Sequence, residues 1–391
     1  MSTQSTPTSA PTPDAASDAR PRHLAIAGAW GYIGRKFIDA ALDLGWQLSV
    51  YDPGPAPADL PAGAFDRCQT QDELYALDAD LFHLALHPEH RAHALQSLLC
   101  RGGVAILNEK PMAAPDHPEE CGLLLKQLAA SDAAPSPILL FDFPELFDPV
   151  TTRILDFLQQ FNEVQIDDIF IQRSKDREAR DNPRNTKRMV HIQYQETVHC
   201  IAFLLFLLGR LRGTPETLLD DGVVVEGQSE PYDPPNPVDY PFVVDGKAEF
   251  EWTFGSTQVK GCTDFKAGAP FRKQRVLRGH GDGQPWQIDV DYLEGAKSLR
   301  IDGVDQHVDA AGSSYEGVLQ TFEGWLANDR DQLMSSTRYP NAHFARLTYS
   351  LSGLLWRSCY EGRALSVAST TELLEYDAGF AAASEGFARY S

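Results

Sequence analysis

Short unbroken apolar runs alternate with helically spaced apolar positions through the first third of the chain. His23 to Ala27 (HLAIA), Gln47 to Tyr51, Leu81 to Leu86, Val104 to Leu107 and Ile138 to Phe141 predict buried strands. Phe37, Ala40, Ala41 and Leu44 recur at helical intervals after the first run, and Arg91 to Leu99 and Cys121 to Leu128 predict further helices. Strand and helix in alternation, with no polar face on the strands, point to a doubly wound parallel sheet. The pattern then changes. After a strand at Val164 to Ile171, Lys247 to Thr263 alternates apolar with polar residues, as do Trp286 to Tyr292 and Ser298 to Asp302, which predicts antiparallel strands with one covered face. Gly213 to Tyr240, dense in Pro, Asp and Gly, reads as an extended loop, and the residues from Thr370 as an added helical tail.

Length and composition fit this two-part pattern. The chain has 391 residues, 43% of them hydrophobic and 10% aromatic, enough for two cores. Residues 1–22 read as a disordered Ser, Thr, Pro and Ala-rich tail, 23–143 as a Rossmann dinucleotide-binding domain, and 144–391 as an α+β domain for substrate binding and oligomerisation. A formal net charge of −21 argues against nucleic acid or an anionic membrane as partner, because either would be repelled by the surface as a whole. No run reaches the ~18 apolar residues of a membrane helix, the longest being Ile201 to Leu208. A cytoplasmic protein with a small-molecule partner is expected. Cys68, Cys100, Cys121, Cys200, Cys262 and Cys359 are widely spaced with no CxxC pair, which suits reduced thiols better than disulfides or zinc.

Candidate chemistry begins at the first strand-to-helix turn, Gly28-Ala29-Trp30-Gly31-Tyr32-Ile33-Gly34. Gly31 would let backbone approach a pyrophosphate at the helix N-terminus, and Gly34 would let the helix pack closely on its strand. The second strand ends at Asp52, where a carboxylate can accept from the adenosine ribose hydroxyls. No Lys or Arg occurs from 53 to 66 to neutralise a 2′-phosphate, so NAD is expected ahead of NADP. Further on, Glu109-Lys110-Pro111 follows a strand and puts a lysine where hydride chemistry needs a proton donor or acceptor.

The order of these pieces resembles the glucose-fructose oxidoreductase and inositol dehydrogenase family (Gfo/Idh/MocA) over nearly all of the chain after the tail. Glu109, Lys110 and Pro111 match the family's EKP motif. Phe147-Asp148-Pro149 looks like its Arg-Phe-x-Pro segment, with Leu146 at the arginine position. In QETVHCIAFLLFLLG, His199 and Gly209 keep the spacing of a signature histidine and the glycine that ends its helix. Asn341-Ala342 and the segment from Ser358 to Val367 are similar to the closing helix and last strand. The resemblance implies that Lys110 and His199 face the reacting carbon beside the nicotinamide, that His87 and Pro88 touch the dinucleotide, and that the second sheet forms a homo-oligomer contact.

The chain departs from the family next to that histidine. Many members carry aspartates four residues before it and three after it, where this chain has Gln195 and Ala202. On a regular helix both Gln195 and Glu196 could reach the His199 ring, so we expect Glu196 to supply charge and Gln195 a substrate contact.

Two clusters bear on the substrate. His83, His87, His90 and His93 fall on a strand, a loop and a helix start, so their side chains should diverge, and no metal is expected there. Arg173 to Arg188 holds a local excess of basic residues, which fits either a clamp for an anionic substrate or a solvated or subunit-contacting loop. The expected function is an NAD-dependent oxidoreductase acting on a secondary alcohol or ketone of a sugar, polyol or derivative. A non-catalytic NAD- or sugar-binding sensor of the same fold and a redox-assisted, NAD-dependent glycosidase are the alternatives. A short-chain dehydrogenase would need a downstream Tyr-xxx-Lys pair, and the only such spacing, Tyr32 with Lys36, lies at the turn itself.

Overall fold

A computed structural model describes residues 20–61, 63–181, 189–239, 243–308 and 313–382. The first six strands are β1 (His23–Ala27), β2 (Gln47–Tyr51), β3 (Asp66–Arg67), β4 (Leu81–Leu84), β5 (Ala105–Glu109) and β6 (Ile138–Asp142). They form one parallel sheet in the order β3-β2-β1-β4-β5-β6. Every residue of β1, β4, β5 and β6 is buried, as the unbroken apolar runs predict for a sheet covered on both faces. The strand order reverses direction between β1 and β4. In such sheets the crevice outside the carboxyl ends of those two strands is where ligands bind.

The second sheet has nine strands: β7 (Val164–Ser174), β8 (Val223–Pro231), β9 (Asp245–Phe254), β10 (Thr257–Asp264), β11 (Arg272–Gly281), β12 (Gln284–Asp291), β13 (Ser298–Ile301), β14 (Val304–Gln306) and β15 (Leu365–Val367). Their order is β14-β13-β12-β11-β7-β10-β9-β8-β15, antiparallel except for the pair β10 and β7. The alternation in Lys247 to Thr263 spans two strands that meet at a turn containing Gly255. Part of the segment expected to be a loop, Gly213 to Tyr240, folds instead into a helix at Pro215–Asp220 and strand β8. Val223 and Val225 point into the core while Val224 and Glu226 point out, and β9 and β15 satisfy the β8 backbone on its two sides. The Pro and Gly residues flank that strand or sit in it without preventing pairing.

Two helices connect these layers. The helix Val198–Arg212 runs past Gly209, whose position is explained by packing: a Cβ there would lie 2.8 Å from the Pro215 nitrogen. Gly213, at φ 109°, ends it. The helix Ala342–Glu361 is capped by Asn341, whose Oδ1 accepts from Phe344 N–H at 3.1 Å. It lies on both halves of the molecule. Its Tyr349 hydroxyl donates to the Ala114 carbonyl at 2.8 Å just beyond β5, and its Leu355 and Cys359 fill the space left by the missing side chain of Gly227 on β8. Just before it, the Pro340 carbonyl accepts from Phe141 N–H of β6 at 2.7 Å.

Candidate active site

The glycine turn is shaped by backbone crowding. Gly28 has φ +80°, and a Cβ on it would fall 2.5 Å from the Ala85 carbonyl oxygen, so β1 and β4 can leave the sheet side by side only without a side chain there. A Cβ on Gly34 would lie 2.4 Å from the Gly28 oxygen, which fixes the close seat of the helix Tyr32–Asp43 on its strand. Gly31 caps that helix with no side-chain hydrogen bond. Its N-terminal N–H groups are thereby directed at the crevice.

Asp52 holds the rim of this crevice together. Its Oδ2 accepts from Trp30 N–H at 3.1 Å and its Oδ1 from Gly54 N–H at 2.9 Å, while the Trp30 indole donates to the Gly54 carbonyl at 3.1 Å. Arg67 was not anticipated at this rim. Its guanidinium donates to the Gly54 carbonyl at 2.7 Å and lies 5.9 Å from the centroid of the Trp30 ring. A cation therefore stands beside Asp52, one residue beyond the stretch that lacks Lys and Arg, on a two-residue strand too short to show in a hydrophobic pattern.

From Gly31, Tyr32 and Ile33 a cavity of about 330 Å³ runs past His87 and Pro88 to Glu109, Lys110, Arg177 and Gln195. Lys110 Nζ donates to the Gln195 carbonyl at 2.7 Å, joining the end of β5 to the segment before the helix Val198–Arg212. Arg91, also missed at the sequence level, is buried beneath this corner. It donates to the carbonyls of Leu86 at 2.9 Å, Pro111 at 2.5 Å and Lys110 at 3.1 Å, and so ties the loop after β4 to the loop after β5. Burial draws its pKa down to about 10.

Gln195 and Glu196 lie in a π-helical turn, Gln193–Thr197, rather than in a regular helix. Residues four apart do not stack in such a turn as they do in an α-helix. The Gln195 side chain turns back to accept from Val190 N–H at 3.2 Å. Glu196 accepts from Arg173 at 2.9 Å and Lys175 at 2.8 Å. His199 is buried, its ring edge-on to Phe143 with centroids 6.3 Å apart, and its Nδ1 has no hydrogen-bond partner among the described residues.

The ion network continues inward. Arg173 also bonds Glu145, which in turn accepts from the fully buried Arg275 at 2.6 Å. Of the basic segment, Arg173 and Lys175 are thus engaged with carboxylates and Arg177 lines the cavity; residues 182–188 lie outside the described residues.

These neighbours set the protonation pattern. Burial lowers the Lys110 pKa and the charges of Arg173 and Arg91 lower it further, against the opposing pull of Glu196 and Glu109. Lys175 comes down to about 8, chiefly through burial. For His199, burial first and then Arg173 and Lys110 press the imidazole well below its ordinary value, so the neutral ring prevails at neutral pH. Burial would raise the Glu196 carboxyl, but Arg173 and Lys175 outweigh it and hold Glu196 ionised. Lys110 lines the cavity, whereas buried His199 is not among the residues lining it; a neutral imidazole and a lysine of reduced basicity are groups that can take or give a proton.

No protein-family model and no curated protein matches this chain. Solved structures do. A super-repressor mutant of Gal80p from Saccharomyces cerevisiae aligns over 90% of this chain and 99% of its own, with a TM-score of 0.66 at 14% identity. A myo-inositol dehydrogenase from Corynebacterium glutamicum aligns over 89% and 99%, with a TM-score of 0.60 at 13% identity. The WlbA dehydrogenase of Chromobacterium violaceum, solved with NADH and UDP-GlcNAcA, aligns over 90% and 97%, with a TM-score of 0.60 at 15% identity. At such identities the likeness establishes the fold. That fold, a parallel six-stranded sheet followed by a mostly antiparallel sheet with helices, is the one expected from the sequence.

Proposed function

We propose that this chain is a nicotinamide-dependent oxidoreductase that moves hydride between the cofactor and a secondary alcohol or ketone of a sugar, polyol or sugar derivative. One observation carries the reading: a single cavity joins the helix N-terminus at Gly31 to Lys110. The crowding at Gly28 and Gly34 holds the turn tight, and Gly31, without a side chain, opens the helix N-terminus onto the cavity where a pyrophosphate would lie. Asp52 would receive the adenosine ribose, which favours NAD, and Glu109, His87 and Pro88 would border the dinucleotide. When bound, the cofactor supplies the hydride acceptor. Lys110 would hold the substrate oxygen and neutral His199 would take its hydroxyl proton; both lie in the electrostatic reach of one another.

Arg177, on the same cavity wall, would bind an anionic group of the substrate, which favours sugar acids or phosphorylated sugars over neutral polyols. The uncovered face of the second sheet, with Phe170 exposed, would serve the homo-oligomer contact. Among the described residues no helix is long and apolar enough to cross a membrane.

NADH formation over a panel of polyols, neutral sugars, sugar acids and sugar phosphates tests the reading. Turnover of at least one class is expected, with lower KM for the acidic forms. A second reading, a dinucleotide- or sugar-binding sensor without turnover, is favoured by the His199 Nδ1 that has no hydrogen-bond partner among the described residues, and would be supported by tight NAD binding with no product on the whole panel.

A further inference from the structure

Behind Lys110, three buried ionisable side chains from adjacent strands meet. His83 on β4, Glu109 on β5 and Asp142 on β6 each bring one polar atom within 4.8 Å of the others. Glu109 and Asp142 are register partners at the carboxyl ends of their strands, so their side chains leave the sheet on the same face. His83 Nε2 lies 3.3 Å from Glu109 Oε1, and the Asp142 carboxyl is buried beside Glu109 with its Oδ1 lacking a hydrogen-bond partner among the described residues. Two buried carboxyl groups this close repel one another when both are ionised, so one of them holds a proton.

We propose that Glu109 and Asp142 share a single proton, carried by Asp142, and that the pair, with one negative charge, is a positioning group that sets the charge of Lys110. The proposal rests on the role given to Lys110 above. The groups around the pair determine which member keeps the proton. Glu109 faces His83 from β4, Lys110 from its own strand end and Arg91 from the helix start beyond β4, and these together hold it ionised although burial opposes them. Asp142 has only the weaker pull of Lys110; burial, then the charge of Glu109, keep its carboxyl protonated far above the usual range. Tyr315, from the helix Ser314–Asn328, is a further titratable neighbour, and its own hydroxyl is held neutral by burial.

A divalent ion is the rival occupant. It would need ligands beyond these three, and it would stand next to Lys110 and Arg91, two cations already drawn to Glu109. The Phe37 ring, with its centroid 3.9 Å from that of His83, closes the cluster on the helix side.

Infrared spectroscopy of the full chain at neutral pH tests the shared proton. A carbonyl band of a protonated carboxylic acid, sensitive to deuterium exchange and absent from Asp142→Asn, is expected. Absence of the band, or its survival in Asp142→Asn, overturns the proposal, as does one firmly bound divalent ion per chain by elemental analysis. The effect on Lys110 is read from the pH dependence of its labelling by an amine reagent. Glu109→Gln should lower the midpoint by about one pH unit or more, because a nearby opposite charge is removed. Asp142→Asn, which replaces a neutral donor by another, should not lower it; an equal fall in both variants would mean two charges and sink the idea. Should Glu109→Gln fail to fold, the infrared comparison still decides. Neither measurement requires turnover, so a chain inactive on every alcohol would defeat the oxidoreductase reading and leave this one standing.

Discussion

Lys110 Nζ meets the backbone carbonyl of Gln195 at 2.7 Å, across 85 residues of sequence, from the end of β5 to the π-helical turn. The ammonium is therefore aimed by main chain rather than by a side-chain partner. Removing it should affect chemistry more than assembly. Lys110→Met is expected to lower turnover by about 10²-fold or more while NADH binding, followed by fluorescence, persists. Unchanged turnover would remove Lys110 from the mechanism.

Acid sensitivity follows from His199. Its folded pKa lies well below the ordinary 6.5, so as pH falls through that value the unfolded chain takes up a proton that the native chain refuses. The His199 contribution to stability is thus fully present above about pH 6.5 and is lost as pH falls below it, down to the depressed folded pKa. Melting temperature measured against pH should fall less steeply between pH 6.5 and 5 in His199→Gln than in the parent chain.

At the adenosine rim, Asp52 and Arg67 should act in opposite senses. Asp52→Ala is expected to weaken NAD more than NADP, because a ribose acceptor is lost and a 2′-phosphate is no longer repelled. Arg67→Ala should weaken NADP more than NAD, since the only cation beside Asp52 among the described rim contacts is gone. Dissociation constants for both dinucleotides across the three chains would show the crossover, and parallel losses would refute it.

Glu145 bridges Arg173 and Arg275, the latter with no exposed surface. Breaking a buried pair leaves an uncompensated charge, so Glu145→Ala should cost about 3–5 kcal/mol in chemical denaturation. A loss well under 1 kcal/mol would mean that water reaches these arginines.

Local signals made the first domain legible. The Gly28 to Gly34 turn, Asp52 and Lys110 each depend on the few residues around them, and the apolar runs that bury β1, β4, β5 and β6 need no partner to be recognised. What escaped the sequence depends on distant contacts or irregular turns. Arg91 becomes meaningful only when three carbonyls from two loops converge on it. Strand β8 is hidden among prolines and glycines until β9 and β15 pair with it. The π-helical turn at Gln193–Thr197 alters which side chains face His199, and no spacing rule for a regular helix could anticipate that. Arg173 joins Glu145 and Glu196 across segments whose proximity exists only after the sheet has formed.

The contact between Phe141 and Pro340 bears on how the molecule is made. β6 is an edge strand of the parallel sheet, and the backbone that covers its Phe141 N–H comes from just before the helix Ala342–Glu361. During synthesis from the N-terminus, the dinucleotide-type sheet emerges roughly two hundred residues before this cover, at a pace of ~5–20 residues per second. For that interval of some ten seconds or more, an unprotected strand edge is available to other chains. A ribosome-bound chain halted before residue 340 should therefore be the species that most needs a chaperone.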